Sequence, residues 1–396
     1  MIFVYYFAAA LLIFLSYKSL RGGIDYLNYF KRELAKPPSQ FTPFATVIAP
    51  CKGLDEGLAE NLKALLDQDY PAYEVIFVVD EENDPAVAVI EAVSHENSKL
   101  VIADKAINSS QKVENLREAV IHAEPRSDVF VFVDSDARPS PNWLRSLTAP
   151  LAEESVGAST GYRWFISKTP SLASELRSSW NASIASALGA NPASNFCWGG
   201  SMAIRRAIFG ELNIRGQWAG TLSDDFAVTR AMKAAGKKIS FVPQALTPSI
   251  ENCSIGELFE FTNRQMKITR VYAPKLWVLS FVGSGLFNLV MSASLIILFL
   301  FPLSTLPWAA AMITLVSVTV LSVAKAWLRL AAVKLVMPGH SAHLDRQMLS
   351  QLTLWAFTPA MFFFNSAAAL ASRSIKWRGT RYEMVSPRET RPIGRR

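Results

Sequence analysis

The sequence predicts an α/β fold, a doubly wound parallel sheet, joined to an N-terminal transmembrane anchor and to C-terminal transmembrane or interfacial helices. Three observations predict it. Strand and helix patterns alternate at short intervals from Thr46 to Val133, the rhythm of a parallel sheet covered by helices. The stretch Val129-Phe130-Val131-Phe132-Val133 is apolar on both faces and runs straight into Asp134-Ser135-Asp136. Residues 1–17, 277–303, 307–324 and 347–372 carry no charge, and each is near or above the length needed to cross a bilayer. The expected organisation is an anchor at 1–20, a soluble domain at 41–250, an interfacial amphipathic helix at 251–276, membrane spans at 277–372 and a basic tail at 373–396.

The first segment has no basic residues ahead of its apolar run, which favours an uncleaved anchor over a signal peptide. Lys18, Arg21, Lys31, Arg32 and Lys36 follow it, so the positive-inside rule places residue 18 onward in the cytosol. Thr46 to Ala49 begins the sheet, and Pro50-Cys51-Lys52-Gly53 is a loop at its end. Residues 58–67 have helical spacing, Glu74 to Val79 is a strand, and Asp80-Glu81-Glu82-Asn83-Asp84-Pro85 is an acid-rich turn. A helix over 86–94, a strand over 100–103 and a helix over 111–122 lead to the strand at 129. Both acid-rich turns follow strands and so share one rim of the sheet, where open α/β folds bind ligands.

Asp134 and Asp136 are too costly to bury unpaired. They either cap and solvate a turn or hold a cation, and Mg²⁺ commonly joins one or two carboxylates to substrate phosphates. Ser171 to Leu188 reads as a helix. In Cys197-Trp198-Gly199-Gly200-Ser201 the paired glycines either admit a ligand close to the backbone or serve a tight turn needing positive φ. Asp224 and Asp225 open a helical run to Ala235, where either is a cap or a site acid. Trp164, Trp180, Trp198 and Trp218 either stack on a ligand or line its entrance, or fill the core and interfaces, the latter for at least two of them. Residues 255–276 interleave Arg264, Lys267, Arg270 and Lys275 with apolar residues, a pattern suited to a membrane surface.

Several functions are disfavoured. No G-x-G-x-x-G follows the first strand and no G-x-x-x-x-G-K-[ST] occurs, which argues against dinucleotide and P-loop sites. Cys51, Cys197 and Cys253 are too widely spaced for a zinc site or a disulfide framework. The net charge of +7 sits largely in the tail, which reads as attraction to anionic lipid and not to nucleic acid. One anchor plus three later spans would leave that tail outside the cytosol. Either 307–324 or 347–372 is then re-entrant or interfacial, or the tail is an exception.

Taken in order, these motifs resemble the processive-type family 2 glycosyltransferases, and within them the ceramide glucosyltransferase branch. The stretches that carry the resemblance are Ala49-Pro50-Cys51-Lys52-Gly53-Leu54-Asp55, Asp69-Tyr70-Pro71, Asn83-Asp84-Pro85, Lys112-Val113-Glu114-Asn115-Leu116 and Lys376-Trp377-Arg378-Gly379 with Tyr382. The resemblance implies a GT-A-type, Rossmann-like domain with the signature D, D, D, (Q/R)xxRW. It puts Asp80 or its neighbours Glu81 and Glu82 on the uridine, Asp134 and Asp136 on Mg²⁺ or Mn²⁺, and Asp225 as general base. Lys52, Lys112, Gly200 and Asp224 join the donor-binding residues. The last signature element falls on Arg264-Gln265-Met266-Lys267-Ile268. There Lys267 lacks the planar fork of Arg, Ile268 replaces an aromatic, and Arg270 is available to supply a guanidinium. The implied activity is inverting transfer of a hexose, glucose in first place, from a UDP-sugar to the hydroxyl of a membrane lipid such as ceramide. The implied location is an integral membrane protein with its catalytic domain facing the cytoplasm. Two alternatives are a membrane polysaccharide synthase and a non-catalytic nucleotide-binding membrane module.

Overall fold

The computed structural model describes residues 2–395, which form two compact units. One unit comprises the chain up to Lys31, Pro170–Ser186 and Cys253–Ser372; the other comprises Arg32–Thr169, Ala187–Asn252 and the chain from Arg373 onward. In chain order the first elements are α1 (Ile2–Leu34), β1 (Ala45–Pro50), α2 (Leu58–Leu66), β2 (Tyr73–Val79), α3 (Pro85–Val93), β3 (Ser98–Ile102), α4 (Gln111–Ala119) and β4 (Val129–Val133). Next come α5 (Trp143–Thr148), β5 (Val156–Ile166), α6 (Leu172–Ala185), β6 (Ser201–Arg205), α7 (Arg206–Glu211), α8 (Ile214–Trp218), α9 (Asp224–Ala234) and β7 (Lys238–Ile250). The remainder is α10 (Ile255–Tyr272), α11 (Pro274–Leu300), α12 (Leu306–Val336), α13 (Ser341–Arg346), α14 (Met348–Thr353), α15 (Thr358–Ala371), β8 (Ser374–Trp377), β9 (Thr380–Ser386) and β10 (Glu389–Arg395).

The unit that holds the acid-rich turns is built on a seven-stranded sheet of order β3-β2-β1-β4-β6-β5-β7. Strands β1 to β4 pair in parallel, as the strand–helix rhythm requires. The sheet is nonetheless mixed, since β6 runs antiparallel to both β4 and β5. Sequence reading misses this because the segments after Ile166 are not spaced as strand–helix–strand units. Period-2 alternation explains the run of apolar residues in β4: Val129, Val131 and Val133 join one core with Leu62, Phe77 and Trp143, while Phe130 and Phe132 join another with Val113, Met202 and Trp218. Strand order reverses between β1 and β4, so their carboxyl ends open a crevice at the switch point.

The predicted basic tail at 373–396 needs correction. It folds into a three-stranded antiparallel sheet, β10-β9-β8, in the same unit as the seven-stranded sheet. Alternation in β9, with Thr380, Tyr382 and Met384 buried between exposed charged residues, is the pattern that permits this.

The other unit is helical. α1, α11 and α12 are each long and apolar enough to cross a membrane, and α14 and α15 meet at a 55° bend, as in a broken or re-entrant span. Phe3, Phe7, Leu279, Phe299 and Ile313 point outward in this unit. Between the helices, Tyr5 and Ser294 share a hydrogen bond of 2.8 Å, and Gln351 accepts from Arg329 and donates to Ser178, each at 3.1 Å. The helix α1 runs well beyond the expected anchor, and the close packing of Gly23 against Lys325 explains why glycine is tolerated there.

Candidate active site

At the carboxyl end of β4 the chain turns through Asp134, Ser135 and Asp136. Lys112, near the start of α4, reaches Asp134 Oδ1 at 2.7 Å and Asp224 Oδ1 at 3.3 Å. Ser110 caps α4, fixing the helix start that carries this lysine. Arg163 on β5 donates to Asp134 Oδ2 at 2.9 Å and to Asp136 Oδ2 at 3.2 Å, with its guanidinium 4.7 Å from the Trp198 ring centroid. Burial pushes the Asp134 carboxyl up, but Lys112 and Arg163 outweigh it and hold it below the usual carboxylate range. Burial opposes the charge on Lys112, and Asp134, Asp224 and Asp225 together raise it instead.

Asp224 and Asp225 begin α9, yet neither is its cap. Ser223 takes that role, its side chain accepting from the Phe226 N–H. The two acids then meet different surroundings. Asp224 is 2% exposed, and burial, with Asp225 and Asp134 adding, pushes it up to about 6. Asp225 is half-buried; its Oδ1 accepts from the Phe226 N–H at 2.7 Å and from the Ser223 hydroxyl, and its Oδ2 accepts from the Gly199 N–H at 3.4 Å.

Gly199 and Gly200 are short of space, and neither has positive φ. A Cβ on Gly199 would stand 2.1 Å from Asp224 Oδ2, and one on Gly200 would stand 2.2 Å from the Trp198 ring and 2.6 Å from Asp134 Oδ2. The bare backbone therefore lets acids from β4 and α9 converge on one rim. The tight-turn alternative does not apply.

The turn after β2 lies on the same rim. Asp80 Oδ1 pairs with Lys52 at 2.8 Å and Oδ2 with Lys105 at 3.0 Å, while Lys105 also pairs with Glu81. Burial raises the Asp80 carboxyl, and the two lysines more than offset it, leaving it below its ordinary range. Asp84 caps α3 and also accepts from the Gly53 N–H at 2.8 Å, tying the loop after β1 to this turn.

Lys52, Asp80, Glu81, Lys112, Asp134, Asp136, Gly200, Asp224 and Asp225 thus belong to one unit. Arg264, Lys267 and Arg270 lie on α10 in the helical unit, where Arg270 donates to the Leu370 carbonyl at 3.3 Å and to that of Ala369, at the end of α15. Trp164, Trp180 and Trp218 are core residues. Sequence reasoning missed Arg163 and Lys105. A lone arginine in the otherwise buried strand β5 is the signal that points to the first.

Among the described residues no group of three or more His, Cys, Asp or Glu side chains forms a metal cluster. Asp134 and Asp136 are a pair, and they fit a hard divalent ion that takes its other ligands from phosphate and water. Buried Asp136 Oδ1 has no hydrogen-bond partner among the described residues, which leaves a carboxylate oxygen to donate.

Solved structures similar to this chain include two glycosyltransferases. A mannosyltransferase from Pyrobaculum calidifontis, in complex with GDP-Man and Mn²⁺, matches at 19% identity and a TM-score of 0.46 over 91% of this chain and 98% of that one. Glucosyl-3-phosphoglycerate synthase from Mycobacterium tuberculosis, in complex with Mn²⁺ and uridine-diphosphate-glucose, matches at 14% identity and a TM-score of 0.36 over 62% of this chain and 82% of that one. A family model described as glycosyl transferase family 21 matches residues 9–389. The glycosyltransferase assignment reached from the motifs is thereby established, and the family number is 21 where the motifs suggested the broader family 2. With nearly its whole length matched, the chain belongs to glycosyl transferase family 21.

Proposed function

We propose that this glycosyltransferase moves a hexose, glucose in first place, from a UDP-sugar to the hydroxyl of a membrane lipid of the ceramide type, with inversion. The observation that carries the reading is the meeting of Asp134–Asp136 with Asp224–Asp225 through Lys112 and the two glycines. Asp136, with Asp134, would hold Mg²⁺ or Mn²⁺, which when bound supplies charge stabilisation for the leaving diphosphate. Lys112 and Arg163 add fixed positive charge at the same turn. Asp225, the more accessible of its pair, takes the proton from the acceptor hydroxyl. The new bond from that oxygen to the anomeric carbon forms as the bond to the diphosphate oxygen breaks, and UDP departs. A single displacement of this kind inverts the carbon. Asp80, Glu81 and Lys52 receive the uridine, and α10 lies at the membrane surface.

The catalytic unit faces the cytoplasm in this reading, and the chain's path supports one topology. The sheet β8–β10 shares a compact unit with residues 32–169, so the chain returns to the side it left. In this reading α11 and α12 make one outward and one inward crossing, and the bent pair α14–α15, whose geometry suits either a broken span or a re-entrant loop, is taken as re-entrant. That reading leaves two crossings after the anchor and keeps the C-terminal sheet on the cytosolic side.

Asp225→Asn is expected to lower transfer by about 10²–10⁴-fold while UDP-sugar binding persists, measured by transfer of labelled sugar and by calorimetry. Normal transfer by the variant would remove Asp225 from the base role. Mass spectrometry of lipids formed with purified enzyme identifies the acceptor, and long sugar chains in place of single-sugar lipids would favour a polysaccharide synthase.

A further inference from the structure

The C-terminal sheet reaches the candidate site at three points. Its β8–β9 turn is Arg378-Gly379, with φ of +48° and +77°. Left-handed backbone at both positions is the two-residue hairpin geometry, which favours Asn, Asp or Gly, and an arginine there is strained. The strained residue is the one that reaches inward. Its guanidinium grips Asp55 with both arms, Nη1 to Oδ1 at 2.5 Å and Nη2 to Oδ2 at 2.9 Å, and Nη1 also meets the Lys52 carbonyl at 3.4 Å. Asp55 Oδ2 in turn accepts the Ser135 hydroxyl at 2.7 Å. Ser135 is the residue between Asp134 and Asp136, and its carbonyl is held from the other side by Asn61 Nδ2 at 3.1 Å.

The two other contacts fall on the remaining parts of the site. Tyr382 Oη on β9 accepts the Gln111 N–H at 3.2 Å, next to Lys112. Gly220, ahead of Asp224, lies so close to the β9–β10 turn that a Cβ would stand 2.2 Å from the Arg388 carbonyl. The sheet therefore touches the segments that carry Lys52, Lys112 and Asp224, and reaches the Asp134–Asp136 turn through Asp55. Burial opposes the charge on Arg378, but Asp55 outweighs it, and Asp136 and Asp134 also act to raise it.

We propose that Arg378 is a positioning residue for donor binding, fixing the Asp134–Asp136 turn through Asp55 and Ser135. The proposal rests on the donor site described above but not on which sugar or lipid is used. A bidentate guanidinium–carboxylate pair sets direction as well as distance, which an ammonium cannot do.

Arg378→Ala, Arg378→Lys and Asp55→Asn in the full chain, purified in detergent, test it. Residues that orient metal-holding carboxylates typically matter by about 10–100-fold. Arg378→Ala is expected to weaken UDP binding in the presence of Mn²⁺ by that factor, by calorimetry, and to raise the KM for the UDP-sugar with little change in kcat or acceptor KM. Arg378→Lys recovers only part of the loss. Asp55→Asn matches Arg378→Ala, and the double variant is no worse than either single one. Native UDP and Mn²⁺ affinity in Arg378→Lys and Asp55→Asn would overturn the proposal, as would a change confined to melting temperature. Loss of donor binding in these variants with unimpaired transfer by Asp225→Asn would sink the assigned base and leave the positioning role standing.

Discussion

The turns after β2 and β4 both place carboxylates at the ends of parallel strands on one rim, but they are neutralised differently. After β2, both oxygens of Asp80 are satisfied by lysines, Oδ1 by Lys52 and Oδ2 by Lys52 and Lys105. After β4, Lys112 and Arg163 satisfy Asp134, while Asp136 keeps one buried oxygen without a partner among the described residues. The first arrangement is complete as it stands. The second has an acceptor left over, and glycines clear the space beside the neighbouring Asp134 and Asp224 carboxylates. In the proposed reading, the two acid turns divide the labour: one is a settled wall for the donor, and the other is the place where charge changes.

That contrast sets the order of expected effects. Asp136→Ala should cost most, about 10³-fold in sugar transfer, because it removes the open oxygen where the leaving group gains charge. The melting curve should hardly move; a transfer rate within a few-fold of native would break the distinction between the turns.

A middle-sized effect concerns stability and pH. The Asp224 carboxyl is raised to about 6 in the folded chain from an ordinary 3.8. Between those values the folded state binds more protons than the unfolded one, so this group's contribution is full below about pH 4, falls as pH rises to about 6 and is flat above it. The loss is no more than about 3 kcal/mol. Asp224→Asn should remove that slope from the difference between variant and native melting curves taken from pH 4 to 7. A difference that stays constant with pH would show that Asp224 titrates normally.

Asp80→Asn should matter least, raising the UDP-sugar KM by about 10-fold or less, since Lys52 and Lys105 remain to shape the wall. A loss as large as that of Asp136→Ala would mean that the two turns do equivalent work.

Much of the parallel half of the molecule could be read from residues alone. The alternation through Val133, the two acid turns and their shared rim all follow from period and burial, which are local properties. The rest depends on contacts distant in sequence. β6 inserts antiparallel between β4 and β5, and nothing in Ser201–Arg205 announces its direction. Arg163 sits in a strand, and only the fold shows it spanning two aspartates 27 and 29 residues away. The tail's eight basic residues suggest lipid by composition, whereas Arg378 is aimed at Asp55, which is 323 residues distant. Charge counting cannot separate a solvated arginine from one held by a two-residue turn.

The position of that turn in the chain also bears on how the enzyme is made. Arg378 follows every apolar helix, so a nascent chain emerging from the ribosome carries both aspartates long before it carries their strap. On the proposed positioning role, donor binding reaches full strength only after the apolar helices have been made. An incompletely translated copy would then bind nucleotide sugar weakly and spend little of it away from its lipid.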